Sequence, residues 1–180
     1  LTYFINAKSA EACGDAEEAI GHYKAMLLDR DYLAIAQRGL AEQFFSISDY
    51  PKAIKHAKDA INKNKKSYWA YHIIFQSHVL EADWSKALET LTEVELSKHF
   101  DHKAIYRYRA ALLSAETVRL SKLNQAGKAL NTAAESFKFA PNFPPAVVNY
   151  SYLLIASEEF KKAINVIKKS WRKDPHPVYA

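Results

Sequence analysis

Apolar residues recur along this chain at helical spacing, in runs separated by short polar phrases. Ala53, Ile54, Ala57, Ala60 and Ile61, for example, fall three and four apart on one face of a helix. The phrases are GDAEEA from Gly14, SDYPKA from Ser48, ADWSKA from Ala82, NQAGKA from Asn124 and SEEFKKA from Ser157. Each reads as a helix stop, a short turn and a new helix start, and each closes on an alanine. These alanines are Ala19, Ala53, Ala87, Ala129 and Ala163, at intervals of 34, 34, 42 and 34 residues. With a second helical run upstream of every alanine, the repeating unit is a helical hairpin.

The hairpins predict helices over about 2–13 and 16–28, 32–47 and 50–62, 67–81 and 84–96, 102–123 and 125–139, and 146–156 and 159–173. Gly14 can end the first of these in a left-handed conformation, and Asp15, Ser48 or Asp49, and Asp83 can cap the helices that follow. Pro51, near a helix start, forfeits no hydrogen bond there. The eight residues by which the fourth interval exceeds 34 are expected around 97–103 and in a lengthened seventh helix.

A 34-residue period built from two helices resembles the tetratricopeptide repeat. The resemblance implies an all-α, right-handed superhelix of about five antiparallel hairpins, ten helices in all. The units fall at about 1–30, 31–65, 66–100, 101–142 and 143–175 of a single repeat domain. The ladder alanines would sit where two helices approach closely, and the bulky Tyr50, Trp84 and Phe160, three places earlier, would wedge between the helices of one hairpin. The family's helix-ending proline is matched only by Pro141 and Pro175. Because a terminal repeat needs a polar cover, Val166, Ile167 and Trp171 are expected to stay partly bare unless more chain or another subunit packs there. Tyr3, Phe4 and Ile5 raise the same question at the other end.

Composition narrows the function classes. Hydrophobic residues make up 49 % of 180 positions, enough for a buried core. One cysteine, Cys13, excludes an internal disulfide. No apolar run reaches the roughly 20 residues of a membrane span. The net charge of +5 is modest, and its lysines gather on second helices, where a solvated face is the plain explanation. Acidic lipid headgroups or RNA phosphates are the functional alternatives.

Several stretches are similar to the HemY proteins of alphaproteobacterial type. They are AIAQRGLAEQFFSISDYPKAIKHAKDA from Ala34, DWSKALETL from Asp83, RYRAALLSAETVRL from Arg107, APNFPPAVVNYSYLLIA from Ala140 and SWRKDPHPVYA from Ser170. This resemblance implies an N-terminal membrane anchor outside this chain, which starts at Leu1, and a repeat region facing the cytoplasm at the inner membrane. It also implies a scaffold for enzymes of late haem biosynthesis, without catalysis. The unrelated flavin-dependent oxidase of the same name is excluded, since no GxGxxG turn follows a strand.

In the repeat pattern the first helices line a groove, at places 18, 15 and 11 residues before the ladder alanine. The resulting candidates for partner binding are Phe4 and Lys8, Ile35 and Arg38, Trp69, His72 and Gln76, and Tyr152. The central trio with Arg38 combines an aromatic anchor with polar groups, as protein-binding hot spots do; the plain alternative is Trp69 packing on its neighbours. The peptide-carboxylate clamp of some relatives is not matched, because its places carry Phe4, Lys8, Gly39 and Ile73. Arg107, Arg109 and Arg119 form a candidate secondary surface on the long helix. Seven histidines, including His99 with His102 and His72 with His78, assemble no ligand set, so neither metal nor cofactor is expected. No nucleophile, base and orienting group stand at catalytic spacing. The expected function is a non-enzymatic scaffold for other proteins, with self-association through the terminal helices as a further option. The alternatives are a haem or porphyrin carrier using Trp69, Tyr152 and His72, and RNA binding through the basic face.

Overall fold

The computed structural model describes residues 1–96 and 101–179, with the Leu96 side chain outside the description. Among these residues the chain forms ten α-helices, no strands and one short 3-10 turn. The helices are α1 (Thr2–Cys13), α2 (Ala16–Met26), α3 (Leu33–Ser46), α4 (Tyr50–Lys63), α5 (Tyr68–Leu80), α6 (Trp84–Leu96), α7 (His102–Lys122), α8 (Ala126–Phe139), α9 (Pro144–Ala156) and α10 (Phe160–Lys173). They agree with the periodicity to within one or two residues at each end. The placement of extra residues around 97–103 falls largely on 97–100, outside the described residues, but the lengthened seventh helix is present.

Two compact units divide the chain, Leu1–Thr90 and Leu91–Ala180. In the first, α1 to α5 pack each on the next around Leu40, Tyr23, Phe44 and Ile74. In the second, α7 packs on α8, α8 on α9 and α9 on α10, around Val147, Leu154 and Leu120.

The five ladder alanines are buried almost completely, at 0 % for the first four and 2 % for Ala163. A methyl group is all the space between close helices permits. Nine residues earlier stands a second buried position, held by Ala10, Phe44, His78, Leu120 and Leu154. Five residues before each alanine the backbone turns left-handed, at Gly14, Ser48, Ala82, Asn124 and Glu158, with φ between 56° and 77°. At every such turn the next amide reaches back to a helical carbonyl, as Asp49 N–H does to Phe44 O at 2.8 Å and Glu159 N–H to Leu154 O at 2.8 Å. This is the Schellman helix end, which satisfies carbonyls the helix would otherwise leave unpaired. Asp15, Asp49 and Asp83 then accept the amides of Glu18, Lys52 and Lys86, so the stop of one helix and the cap of the next share one turn.

Two expectations are corrected. Phe160, the first residue of α10, is 56 % exposed and is not the packed wedge expected of it. The expectation that Val166, Ile167 and Trp171 stay partly bare is corrected for Val166 alone, which is 8 % exposed. Pro177–Tyr179 turns back, and Tyr179, 9 % exposed, packs with Val147, Leu154, Ala163 and Val166. Trp171 does remain open, at 45 % exposure.

Candidate partner-binding face

Within the first unit, α3 and α5 present part of the candidate face. Their buried residues, among them Ala36, Leu40, Ala70 and Ile74, fall on the sides packed against α2 and α4. The remaining side carries Ile35 at 42 % exposure, Arg38, and the exposed His72. Trp69 lies half-buried between these fates: part of its ring packs on the core, and the Arg38 guanidinium stands over it, 5.8 Å from the ring centroid. Arg38 also donates from Nε to Glu42 Oε1 at 2.7 Å. The pair is therefore pre-positioned, with the arginine held over the indole by a carboxylate one turn along its own helix. Gln76, one turn beyond His72, is half-buried.

Lys8 is exposed and already holds a partner. Its ammonium donates to Glu11 Oε2 at 2.6 Å, while Glu11 Oε1 accepts from the Tyr23 hydroxyl at 2.8 Å and the Gln43 amide at 3.0 Å. One carboxylate thus ties α1 to α2 and α3. Burial disfavours the Glu11 charge, but donors from Lys8, Tyr23 and Gln43 outweigh it and hold the carboxyl below its ordinary value. The hydrogen bond to Glu11 raises the Lys8 pKa against the cost of burial, and burial together with Glu11 raises that of Tyr23. Phe4 packs partly on the core and lines a cleft with Leu1, Met26, Leu28 and Tyr32.

In the second unit Tyr152 is 70 % exposed on α9, with Val148 at 38 % one turn earlier. Of the arginines on α7, Arg109 is committed inside the fold. It donates to Glu95 Oε2 at 2.9 Å and Thr92 Oγ1 at 3.2 Å, and lies 5.0 Å from the Phe139 ring centroid. Arg119 donates twice to Glu116, at 2.7 and 2.6 Å, and Arg107 is exposed. The three do not make one surface of free cations.

Two histidines, the half-buried His56 and the buried His78, do structural work that spacing alone did not indicate. His56 on α4 meets the buried Gln37 Oε1 at 2.7 Å and stacks on Phe44 at 5.6 Å. His78 is 6 % exposed, its Nδ1 3.9 Å from Glu81. Burial lowers the pKa of both, so both favour the neutral form. His99 lies outside the described residues, and among those described no group of three His, Cys, Asp or Glu could hold a metal ion. No described helix is long and apolar enough to cross a membrane.

No protein-family model matches the chain, and no curated protein does. Solved structures do. The crystal structure of MamA protein aligns with a TM-score of 0.58 at 17 % identity, over 96 % of this chain and 90 % of that one. YrrB, described as a TPR protein with an unusual peptide-binding site, aligns at 0.51 and 17 % identity, over 98 % and 87 %. The fold is a tetratricopeptide-like helical repeat. A chain of Naa15/Naa10 bound to HypK-THB aligns at 0.64 and 17 % identity, over 98 % of this chain and 27 % of that one.

Proposed function

We propose that this repeat protein binds other proteins, and that the α3–α5 face of the first unit holds a partner segment with Trp69 as its anchor. One observation carries the reading: a half-buried indole on an otherwise open helical face, with the Arg38 guanidinium 5.8 Å from its ring centroid. Completing the burial of such a ring supplies apolar contact at little cost in side-chain freedom, which is why Trp and Arg dominate binding hot spots. YrrB and the Naa15/Naa10 structure, both of this fold, are described with a peptide-binding site and a bound protein. Ile35 and His72 extend the contact along the same side. In the second unit Tyr152 and Val148 offer a separate exposed pair on a first helix.

The finer reading, that the partners are enzymes of late haem biosynthesis at the inner membrane, rests on the similarity of the quoted stretches to HemY proteins. Affinity capture from a bacterial membrane lysate tests it, using the protein and a Trp69→Ala, Arg38→Ala variant of unchanged helicity. Haem-pathway enzymes should be retained by the parent, and the affinity of a captured partner should fall at least about 30-fold in the variant, the loss of about 2 kcal/mol that defines a hot spot. Equal capture by both removes the α3–α5 face from the reading. Other partners, lost in the variant, keep the face and end the haem assignment.

A further inference from the structure

The second helices α4 and α8 meet the first helix of the next hairpin through places set three residues before, and one, four and eight after, the ladder alanine. On α4 these are Tyr50, Ile54, Ala57 and Ile61, and the last three join the core shared with α5. On α8 the same places give Leu130, Ala133 and Phe137, packed against Tyr150 of α9, with the Phe137 and Tyr150 rings 5.7 Å apart. On α10 they are Phe160, Ile164, Ile167 and Trp171. Phe160, Ile164 and Trp171 are 56 %, 50 % and 45 % exposed, and Ile167 is half-buried. Tyr179 packs beside Ile167, and among the described residues no helix lies on the rest of the stripe.

Its flank is unlike that of any other second helix. Alongside the stripe, on the side away from the core, runs the row two residues before and five and nine after the alanine. That row reads Glu17, Lys24 and Leu28 on α2, Pro51, Lys58 and Asn62 on α4, Ser85, Thr92 and Leu96 on α6, and Gly127, Ala134 and Lys138 on α8. On α10 it reads Lys161, Lys168 and Arg172. No other row holds more than one cation. Among the described residues the three make no ion pair, and the one on α10 joins Lys162 to Glu159. The helix carries six basic residues and no acidic one, against a chain total of +5.

We propose that this face docks an acidic amphipathic helix of another protein, its apolar stripe on Ile164, Ile167 and Trp171 and its carboxylates along Lys161, Lys168 and Arg172. Apolar burial supplies the contact, and the cation row selects the sign of the partner and speeds its approach. A second copy of this chain does not fit the same description. Its α1 offers Lys8 and a single acid, Glu11, which is already bound to Lys8, Tyr23 and Gln43. The surface is built from other residues, in the second unit, than the Trp69 face of the first, so the two readings stand or fall independently.

The test uses two labelled helical peptides about 15 residues long, near the minimum for a stable helix. They share one leucine and alanine stripe, and carry either glutamates or lysines on the side that would face the cation row. Fluorescence anisotropy with the whole protein should show the glutamate peptide binding at least tenfold tighter, with an affinity that falls as salt rises. The order should invert in the Lys161→Glu, Lys168→Glu, Arg172→Glu variant, whose exposed positions leave folding intact. Ile164→Ser should weaken both peptides, and Trp69→Ala neither. Equal binding of the two peptides, or binding of neither, overturns the proposal. So does tighter binding of phosphatidylserine vesicles than of the glutamate peptide, or a concentration-dependent dimer that Ile164→Ser abolishes.

Discussion

Gly39 sits mid-helix in α3, where alanine would ordinarily be worth about 1 kcal/mol in helix propensity. Here the replacement should destabilise. A Cβ built on Gly39 would stand 2.3 Å from Cζ, 2.4 Å from Cε1 and 2.5 Å from Cε2 of Tyr23, where carbon atoms need about 3.5 Å. The ring cannot step aside easily, because it is 1 % exposed and its hydroxyl is bound to Glu11 at 2.8 Å. Overpacking of a closed core costs about 1–3 kcal/mol, and a clash with a pinned ring belongs at the upper end. Subtracting the propensity gain leaves a net loss of about 2 kcal/mol, or roughly 4–8 °C in Tm for a chain of this size.

Urea titration followed by far-UV circular dichroism measures the loss for Gly39→Ala. Repeating the substitution in a Tyr23→Leu background removes the ring atoms that the new methyl would meet. There Gly39→Ala should turn neutral or favourable by up to about 1 kcal/mol, the propensity alone. If Gly39→Ala is neutral in the parent, or its cost survives in the leucine background, the close approach of α2 and α3 at this point is not what holds glycine there.

Ala82→Gly should raise stability by about 0.5–1 kcal/mol, since Ala82 holds φ 56° at a turn where glycine carries no Cβ penalty; Gly14→Ala, at φ 77°, should lower it by a similar amount. Thermal unfolding of the two variants checks both signs. Because burial depresses the pKa of His56 and His78, the unfolded chain takes up protons first as pH falls below about 6.5, so stability present above that value should decline toward the lower, folded pKa values. His78→Leu, the residue that the equivalent places 120 and 154 carry, should flatten that decline without loss at neutral pH, as read from urea midpoints across the pH range. Glu11→Gln should cost about 1–2 kcal/mol at pH 7, by removing the charge on which Lys8, Tyr23 and Gln43 converge. Haem titration should show no change in the Soret band on His72→Ala; a loss on that substitution would restore the carrier reading.

Helix positions were legible because two independent signals coincide at each hairpin. Apolar spacing marks where a helix runs, and the phrase around Gly14, Ser48 or Ala82 marks where it must stop, since the left-handed residue stands five places before a buried alanine every time. The fate of single bulky residues was not legible in this way. Phe160 shares its register with Tyr50, yet Tyr50 meets the Phe45 ring at 5.7 Å while Phe160 faces outward. Register fixes which side of its helix a residue occupies. Whether another element covers that side depends on contacts distant in the chain, and the return of Tyr179 onto Val147 and Leu154 is one that no local period encodes.

The same distinction explains what could be read of the candidate face. Counting from the ladder alanine placed Ile35, Arg38 and His72 on the open side, and brought Arg38 and Trp69 into one neighbourhood; all of this follows from register. Charge partners do not follow from it. Lys8 counted as open and is 48 % exposed along its side chain, but it also serves a carboxylate that receives Tyr23 and Gln43 from two other helices. Arg109 counted as surface, yet it closes on Glu95 and Phe139. A long cation on a repeat surface can reach any acid within its span, so its availability to a partner is decided by which acids the packing leaves nearby. Lys161, Lys168 and Arg172 make no ion pair among the described residues, and α10 itself holds no acid. That absence is written in the sequence, but it becomes informative only once the neighbouring stripe is seen to be exposed.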